Sequence, residues 1–165
     1  MKIRKATLED IALLWSFEKE HRMYDKRLLS SKFRLFFSGN VDSREEAKWR
    51  DHLRKLLDDR NTLILIAEED GKPLGYAMAL IAKWDDEFGR LEDSRRTGYI
   101  SKLFVTKRAR GRRISHLLLG SVLKWFKCNK ISYVSLHVWS NNTQAIEMYR
   151  KFGFDSFRMQ MRKKI

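Results

Sequence analysis

Five of the seven residues Lys107-Arg108-Ala109-Arg110-Gly111-Arg112-Arg113 are basic, and so dense a cluster calls for an anion. Guanidinium groups grip phosphate oxygens bidentately, through N–H donors in a fixed fork. Alone, the tract also reads as a nucleic-acid or localisation patch. Its flanks favour another use. An apolar strand from Tyr99 to Val105 leads into it, and an amphipathic helix starts at about Ile114, with Leu117, Leu118 and Val122 at helical spacing. The turn at Gly111 therefore leaves backbone N–H groups at a helix N-terminus, where unpaired donors and the helix dipole attract negative charge. A pyrophosphate cradle is favoured over a nucleic-acid arm. Cys128 is the chain's one cysteine. No motif sets a histidine beside it, so it reads as filler rather than a nucleophile. A single cysteine also excludes a disulfide framework and a multi-cysteine zinc site, and no metal is expected.

The elements that must position this tract follow from the rest of the chain. Its 165 residues suit one domain, 1–165, and 43% hydrophobic with 34% charged residues suits a folded one. No apolar run approaches the roughly 18 residues of a membrane span, and no signal-like segment follows Met1. The expectation is a cytoplasmic chain with no membrane partner. The net charge of +14 is unevenly spread: residues 106–165 hold 14 Lys/Arg against 2 Asp/Glu, whereas residues 61–105 hold 6 against 8. A polyanion, either a phosphorylated cofactor or nucleic acid, is the natural partner of the last third. The acidic stretches Glu68–Asp70, Asp85–Glu87 and Glu92–Asp93 face either a cationic substrate or water.

Alternation predicts a first strand over Met1 to Ala6. Thr7 and Asp10, spaced as in a capping box, open a helix to about Arg22. Ser43, followed by Glu45 and Glu46, caps a second helix. Thr62 to Ala67 reads as a buried strand, Asp70-Gly71 as a hairpin turn and Gly75 to Ala82 as the returning strand. Tyr99 to Val105 is a strand, Ile114 to Cys128 a helix and Tyr133 to Val138 a strand. Asn142 or Thr143 caps a short helix ending at Gly153, and Phe157 to Met161 makes a last strand. Together they give one α/β domain (α+β), an antiparallel front half with a strand–helix–strand unit behind.

Two segments resemble the GNAT superfamily of N-acetyltransferases, which use acetyl-CoA. In the first, Ile100–Val105 is followed by Arg110-Gly111-Arg112-Arg113-Ile114-Ser115 and Leu117-Leu118, similar to that family's strand and R-G-x-G-x-G/A loop. The second runs from Leu136-His137-Val138 through Asn142, Ala145 and Tyr149 to Gly153-Phe154, and matches the family's N-x-x-A-x-x-x-Y-x-x-x-G-F pattern. Arg113 departs from the family's glycine, and Ser115 from its glycine or alanine. A glycine at 113 would allow close backbone approach or a positive φ.

The resemblance implies a mixed, mostly antiparallel sheet flanked by helices, with acetyl-CoA in a split between two central parallel strands ending at Val105 and Val138. It places pantetheine beside Phe104 and Val105, an oxyanion-facing N–H near Leu103 or Phe104, and pyrophosphate at Arg110, Gly111, Arg112, Arg113, Ile114 and Ser115. Asn142 and Ala145 would complete the cofactor site. Tyr149 is the implied acid for the leaving thiolate, against a packing role beside Ile146 and Phe152. His137 stands twelve residues before it, where some relatives carry a glutamate base, and could relay a proton through water. Glu18, Asp85, Asp86 and Glu87 stay open as bases, as does the absence of any base. Trp15, Phe17, Phe33, Phe36 and Phe37 either line an acceptor site or pack the core. The implied activity is acetyl transfer to a primary amine by direct attack, in a monomer or homodimer. The alternatives are a basic nucleic-acid-binding module and an acyl-CoA sensor on the same scaffold.

Overall fold

The computed structural model describes residues 1–31, 42–83, 96–161 and 163. Strand β1 (Lys2–Lys5) leads through a short 3-10 turn (Leu8–Asp10) into helix α1 (Ile11–Leu28), and helix α2 is Ser43–Asp58. Strands β2 (Thr62–Glu69), β3 (Lys72–Lys83) and β4 (Arg96–Val105) follow, then helix α3 (Ile114–Cys128), strand β5 (Val134–Leu136) and helix α4 (Thr143–Lys151). The sheet order is β1-β2-β3-β4-β5; the first three pairings are antiparallel and β4–β5 is parallel.

The apolar run of β2 demanded a sheet covered on both faces. Leu63, Leu65 and Ala67 pack with Ala77 and Ala79 of β3 against Leu118, Leu119, Val122 and Phe126 of α3. The alternate residues Ile64, Ile66, Tyr76 and Met78 meet Ile11, Leu14 and Phe17 of α1 and Leu53 of α2 on the other side. Trp15 and Phe17 belong to this packing, at 2% and 4% exposure. Trp15 lies against Trp49 with ring centroids 5.1 Å apart. Phe33, Phe36, Phe37 and the acidic residues Asp85–Glu87 and Glu92–Asp93 lie outside the described residues.

Several boundaries differ from the sequence expectation. Helix α1 runs past Arg22 to Leu28 because its last turns carry polar and aromatic side chains rather than an apolar stripe. The cap of α2 is Asp42, whose side chain accepts from the Glu45 amide at 2.7 Å, and Ser43 is the first helical residue. Strand β5 ends at Leu136, before His137 and Val138. The expected strand Phe157 to Met161 is not formed: these residues have no strand assignment, and Phe157, Met159 and Met161 are 87%, 79% and 86% exposed.

One irregularity shapes the molecule. Met78 pairs with Lys102 and Ala79 with Ile100, so Ser101 is an extra residue in β4. Its hydroxyl donates to the Met78 carbonyl at 3.2 Å. Bulges bend a strand and increase its twist. The parallel pairing of β4 with β5 stops at Ile100 and Leu136, immediately before this bulge. Beyond it the two strands part.

Candidate active site

The parted strands open a cleft of about 1090 Å³ lined by β4, the start of α3, the residues after β5, α4 and the inner face of α1. Pockets for small ligands usually span about 300–1,000 Å³, so this one admits an extended molecule. Of the residues singled out from the sequence, Leu103, Phe104, Val105, Arg110, Gly111, Arg113, Ile114, Ser115, His137, Asn142, Ala145 and Tyr149 all line it. Arg112 does not. Its guanidinium turns to Glu69 of the β2–β3 hairpin at 2.5 Å.

The basic tract is thus divided. Arg108 donates to the Pro73 carbonyl at 3.5 Å, and Arg112 is held at Glu69, so both lean on the hairpin. Arg110 and Arg113 are left at the cleft. Arg110 lies over the Tyr24 ring of α1 at 4.2 Å and donates to the Val105 carbonyl at 3.3 Å, which fixes its fork at the cleft wall. Gly111 has φ +78° and Arg113 φ +58°. Arginine therefore takes the left-handed conformation that a glycine would adopt freely. Leu117 N–H closes a helical bond onto the Arg113 carbonyl at 3.2 Å, so the three amides before it face out of the N-terminal end of α3. A Cβ on Gly111 would meet nothing within 4 Å, which leaves the approach open. Amides, a dipole and two guanidinium groups together make a place that favours an anion.

Asn142 caps α4, its side-chain oxygen accepting from the Ala145 amide at 3.3 Å. Asn141 donates to the Leu28 carbonyl and ties this end of α4 to the end of α1. Tyr149 packs edge-on to Phe154 with centroids 5.8 Å apart. Burial pushes its phenol up to about 12, so it stays protonated across the physiological range. His137, exposed just past the end of β5, shares a hydrogen bond between Nδ1 and the Tyr99 hydroxyl at 2.9 Å.

Glu18 is not a free base. At 2% exposure it accepts from Tyr76 at 3.0 Å, Arg22 at 2.9 Å and Lys102 at 2.9 Å. Burial would raise its carboxyl, but Lys102, Arg22 and Tyr76 together hold it below the usual range. Cys128 is exposed at the end of α3 and does not line the cleft. Among the described residues, no group of three or more His, Cys, Asp or Glu could hold a metal ion.

The sequence reading passed over a histidine and an aspartate on α1. His21 and Asp25 both line the cleft, with Nε2 3.8 Å from Oδ1, and the His21 ring stacks on Phe104 with centroids 5.2 Å apart. The signal was present as His21-x-x-x-Asp25, the spacing that puts two side chains on one helix face. The sequence expectation ends the helix at about Arg22, which leaves Asp25 outside it, whereas α1 runs to Leu28.

The cleft is thus framed by a parallel strand pair that parts beside the basic N-terminal end of a helix. By sequence comparison the chain belongs to the Acetyltransferase (GNAT) family, whose profile matches residues 21–154. An uncharacterized N-acetyltransferase of Methanocaldococcus jannaschii is 26% identical over 154 residues, 93% of this chain. The chain spans 60% of that relative's length. Among solved structures, a mutant of the BH1408 protein of Bacillus halodurans superposes with a TM-score of 0.81 at 18% identity, covering 100% of this chain and 99% of that one. A predicted acetyltransferase from Clostridium acetobutylicum, solved with acetyl-CoA, gives 0.74 at 20% identity, with 99% and 95% covered. These likenesses establish the fold. Among the described residues, no helix is long and apolar enough to cross a membrane.

Proposed function

We propose that the protein is an N-acetyltransferase that moves an acetyl group from acetyl-CoA to a primary amine. The reading rests above all on one juxtaposition: the diphosphate seat at Arg110, Gly111, Arg113, Ile114 and Ser115 opens onto the same cleft as the Tyr149 phenol. Acetyl-CoA would supply the acetyl thioester, with Arg110, Arg113 and the first amides of α3 holding its pyrophosphate. At Leu103, Phe104 and Val105 the β5 side of β4 has no partner strand among the described residues, so the backbone groups that face that side, apart from the Val105 carbonyl that Arg110 takes, are open to the pantetheine arm and to developing negative charge on the carbonyl oxygen. Asn142 and Ala145 shape the far wall. Arg112 is withdrawn from this role by its pairing with Glu69.

Tyr149 acts on the leaving sulfur. A phenol near 12 is a poor acid toward a thiolate of about 8.5, so the hydroxyl stabilises that sulfur by donating a hydrogen bond, and the proton itself comes from the attacking nitrogen. His137, exposed at the mouth of the split and bonded to Tyr99, carries protons between cleft and solvent.

Calorimetric titration of acetyl-CoA at low and moderate salt tests the reading. Saturable micromolar binding that survives moderate salt is expected, since two guanidinium groups and a helix end supply a local seat rather than a diffuse field. The absence of heat, or heat abolished by salt, would leave the basic last third as a polyanion surface.

A further inference from the structure

Helix α1 presents His21 and Asp25 to the cleft one turn apart, against the strand that the transferase reading assigns to the thioester. Their facing atoms, Nε2 and Oδ1, stand 3.8 Å apart. That is too far for a direct hydrogen bond and close enough for a third atom to bond both. Nδ1 of His21 is buried with no hydrogen-bond partner, so the ring exchanges protons through Nε2. Phe104 stacks on the imidazole and fixes its plane. Asp25 and Glu147 are the carboxylates that line the cleft among the described residues, and Asp25 is the half-buried one, at 21% side-chain exposure. Trp139 donates to it from the segment after β5.

We propose that the acceptor amine enters as its ammonium form between His21 and Asp25, the Asp25 carboxylate holding the cation and His21 Nε2 taking its proton. This deepens the transferase reading and rests on it. Burial holds His21 below the usual histidine range despite Asp25 and Glu18 on its own helix, and Lys102 of β4 and Arg110 of the following loop push the same way as burial. The ring is therefore neutral near pH 7, as a proton acceptor must be. Burial also pushes the Asp25 carboxyl up, against the pull of His21, Trp139 and Lys102, and a bound ammonium would offset that cost. The proton count closes. The ammonium gives its first proton to His21, and the nitrogen lone pair forms the N–C bond as the C–S bond breaks. The nitrogen's second proton passes to the sulfur, which departs hydrogen-bonded to Tyr149, so the products are an amide and a thiol.

The first test needs no turnover. With ring-labelled histidine, spermidine added to the wild type should shift the His21 signals saturably, and the shift should vanish in Asp25→Asn. An unmoved His21 overturns the amine site whatever the chain's activity. The second test is kcat/KM for CoA release with spermidine and L-lysine amide between pH 6 and 9.5. The wild type should be level from above the His21 titration to the amine's own pKa. His21→Gln should lose at least tenfold at pH 7 and climb about tenfold per pH unit toward that pKa, because only free amine then reacts. A variant profile parallel to the wild type overturns the base role. Asp25→Asn should raise KM at least fivefold while its profile stays level above the His21 titration, as in the wild type, which covers a His21→Gln chain that does not fold. Absence of acetyl-CoA heat in the wild type itself would sink the transferase reading and leave the histidine signals to judge the amine site.

Discussion

Tyr149 shows how a side chain's surroundings decide its chemistry. Its burial lifts the phenol to about 12, two units above the ordinary tyrosine value. A tyrosinate limb should therefore be missing from the turnover profile below about pH 10. Tyr149→Phe should lower turnover by roughly 10- to 100-fold while acetyl-CoA affinity, read by calorimetry, stays within about twofold. Unchanged turnover would remove this residue from the mechanism. Tyr149, Asn142, Arg110 and Arg113, which line the cleft, stand out because their spacing along the chain is itself the signal; Arg112 carries the same signal and turns to Glu69. His21 and Asp25 do not stand out, since the apolar stripe of α1 fades before Asp25 and a polar pair on a helix has the spacing of countless solvent-facing pairs. What separates them is burial against Phe104 and Trp139, and that depends on where α1 lies in space.

At the scale of elements, regular structure was read well and irregular structure poorly. Helix α3 occupies Ile114–Cys128 as its periodicity predicts. The bulge at Ser101 carries no comparable pattern, because it is a mismatch between two strands rather than a property of either. The segment from Phe157 to Met161 fails in the opposite way, alternating like a strand without adopting one. In the loop before α3, Arg113 stands where the family pattern has glycine, yet it adopts φ +58° and ψ 18°, the backbone conformation that glycine allows. An L-residue there costs about 1–2 kcal/mol. Arg113→Gly should accordingly leave the melting temperature level or slightly raised, by under about 1 kcal/mol of stability after the entropy of glycine is counted. Acetyl-CoA binding should weaken several-fold and depend less steeply on salt, because one guanidinium has left the seat. Calorimetry at two salt concentrations reads both effects. A drop in stability with affinity intact would mean that Arg113 packs rather than binds.

For the molecule as a whole, the junction of the layers is Glu18. It joins α1 to β3 through Tyr76 and to β4 through Lys102, and it bonds Arg22, which also pairs with Glu45 of α2. Removing one member of a buried ionic cluster strands the others. Glu18→Gln should cost about 3 kcal/mol, a fall of roughly 6–12 °C in melting temperature for a chain this size. The pH sign follows from a folded carboxyl held below its unfolded value of about 4.3. The stabilisation is complete above that value and disappears as pH falls through the lower, folded one, so the variant's acid limb should be shallower than the wild type's. A melting series between pH 2.5 and 7 measures it. The sequence offered Glu18 as an unranked base, and nothing short of the packed layers could show that its oxygens are already engaged. The charge asymmetry reads as an anion signal, and side-chain direction divides its arginines, sending Arg108 and Arg112 to the hairpin and Arg110 and Arg113 to the cleft.

The order of the strands in the sheet is also their order along the chain. Each strand emerging from a ribosome therefore meets its neighbour already made; β1 and β2 are joined through α1 and α2, and β4 and β5 through α3. The antiparallel strands β1 to β4 are complete at Val105, before Asn142, Ala145 and Tyr149 have been synthesised, so scaffold and chemistry mature at different times. A nascent chain halted after β4 would carry its antiparallel scaffold with one wall of the cleft and without the Tyr149 phenol.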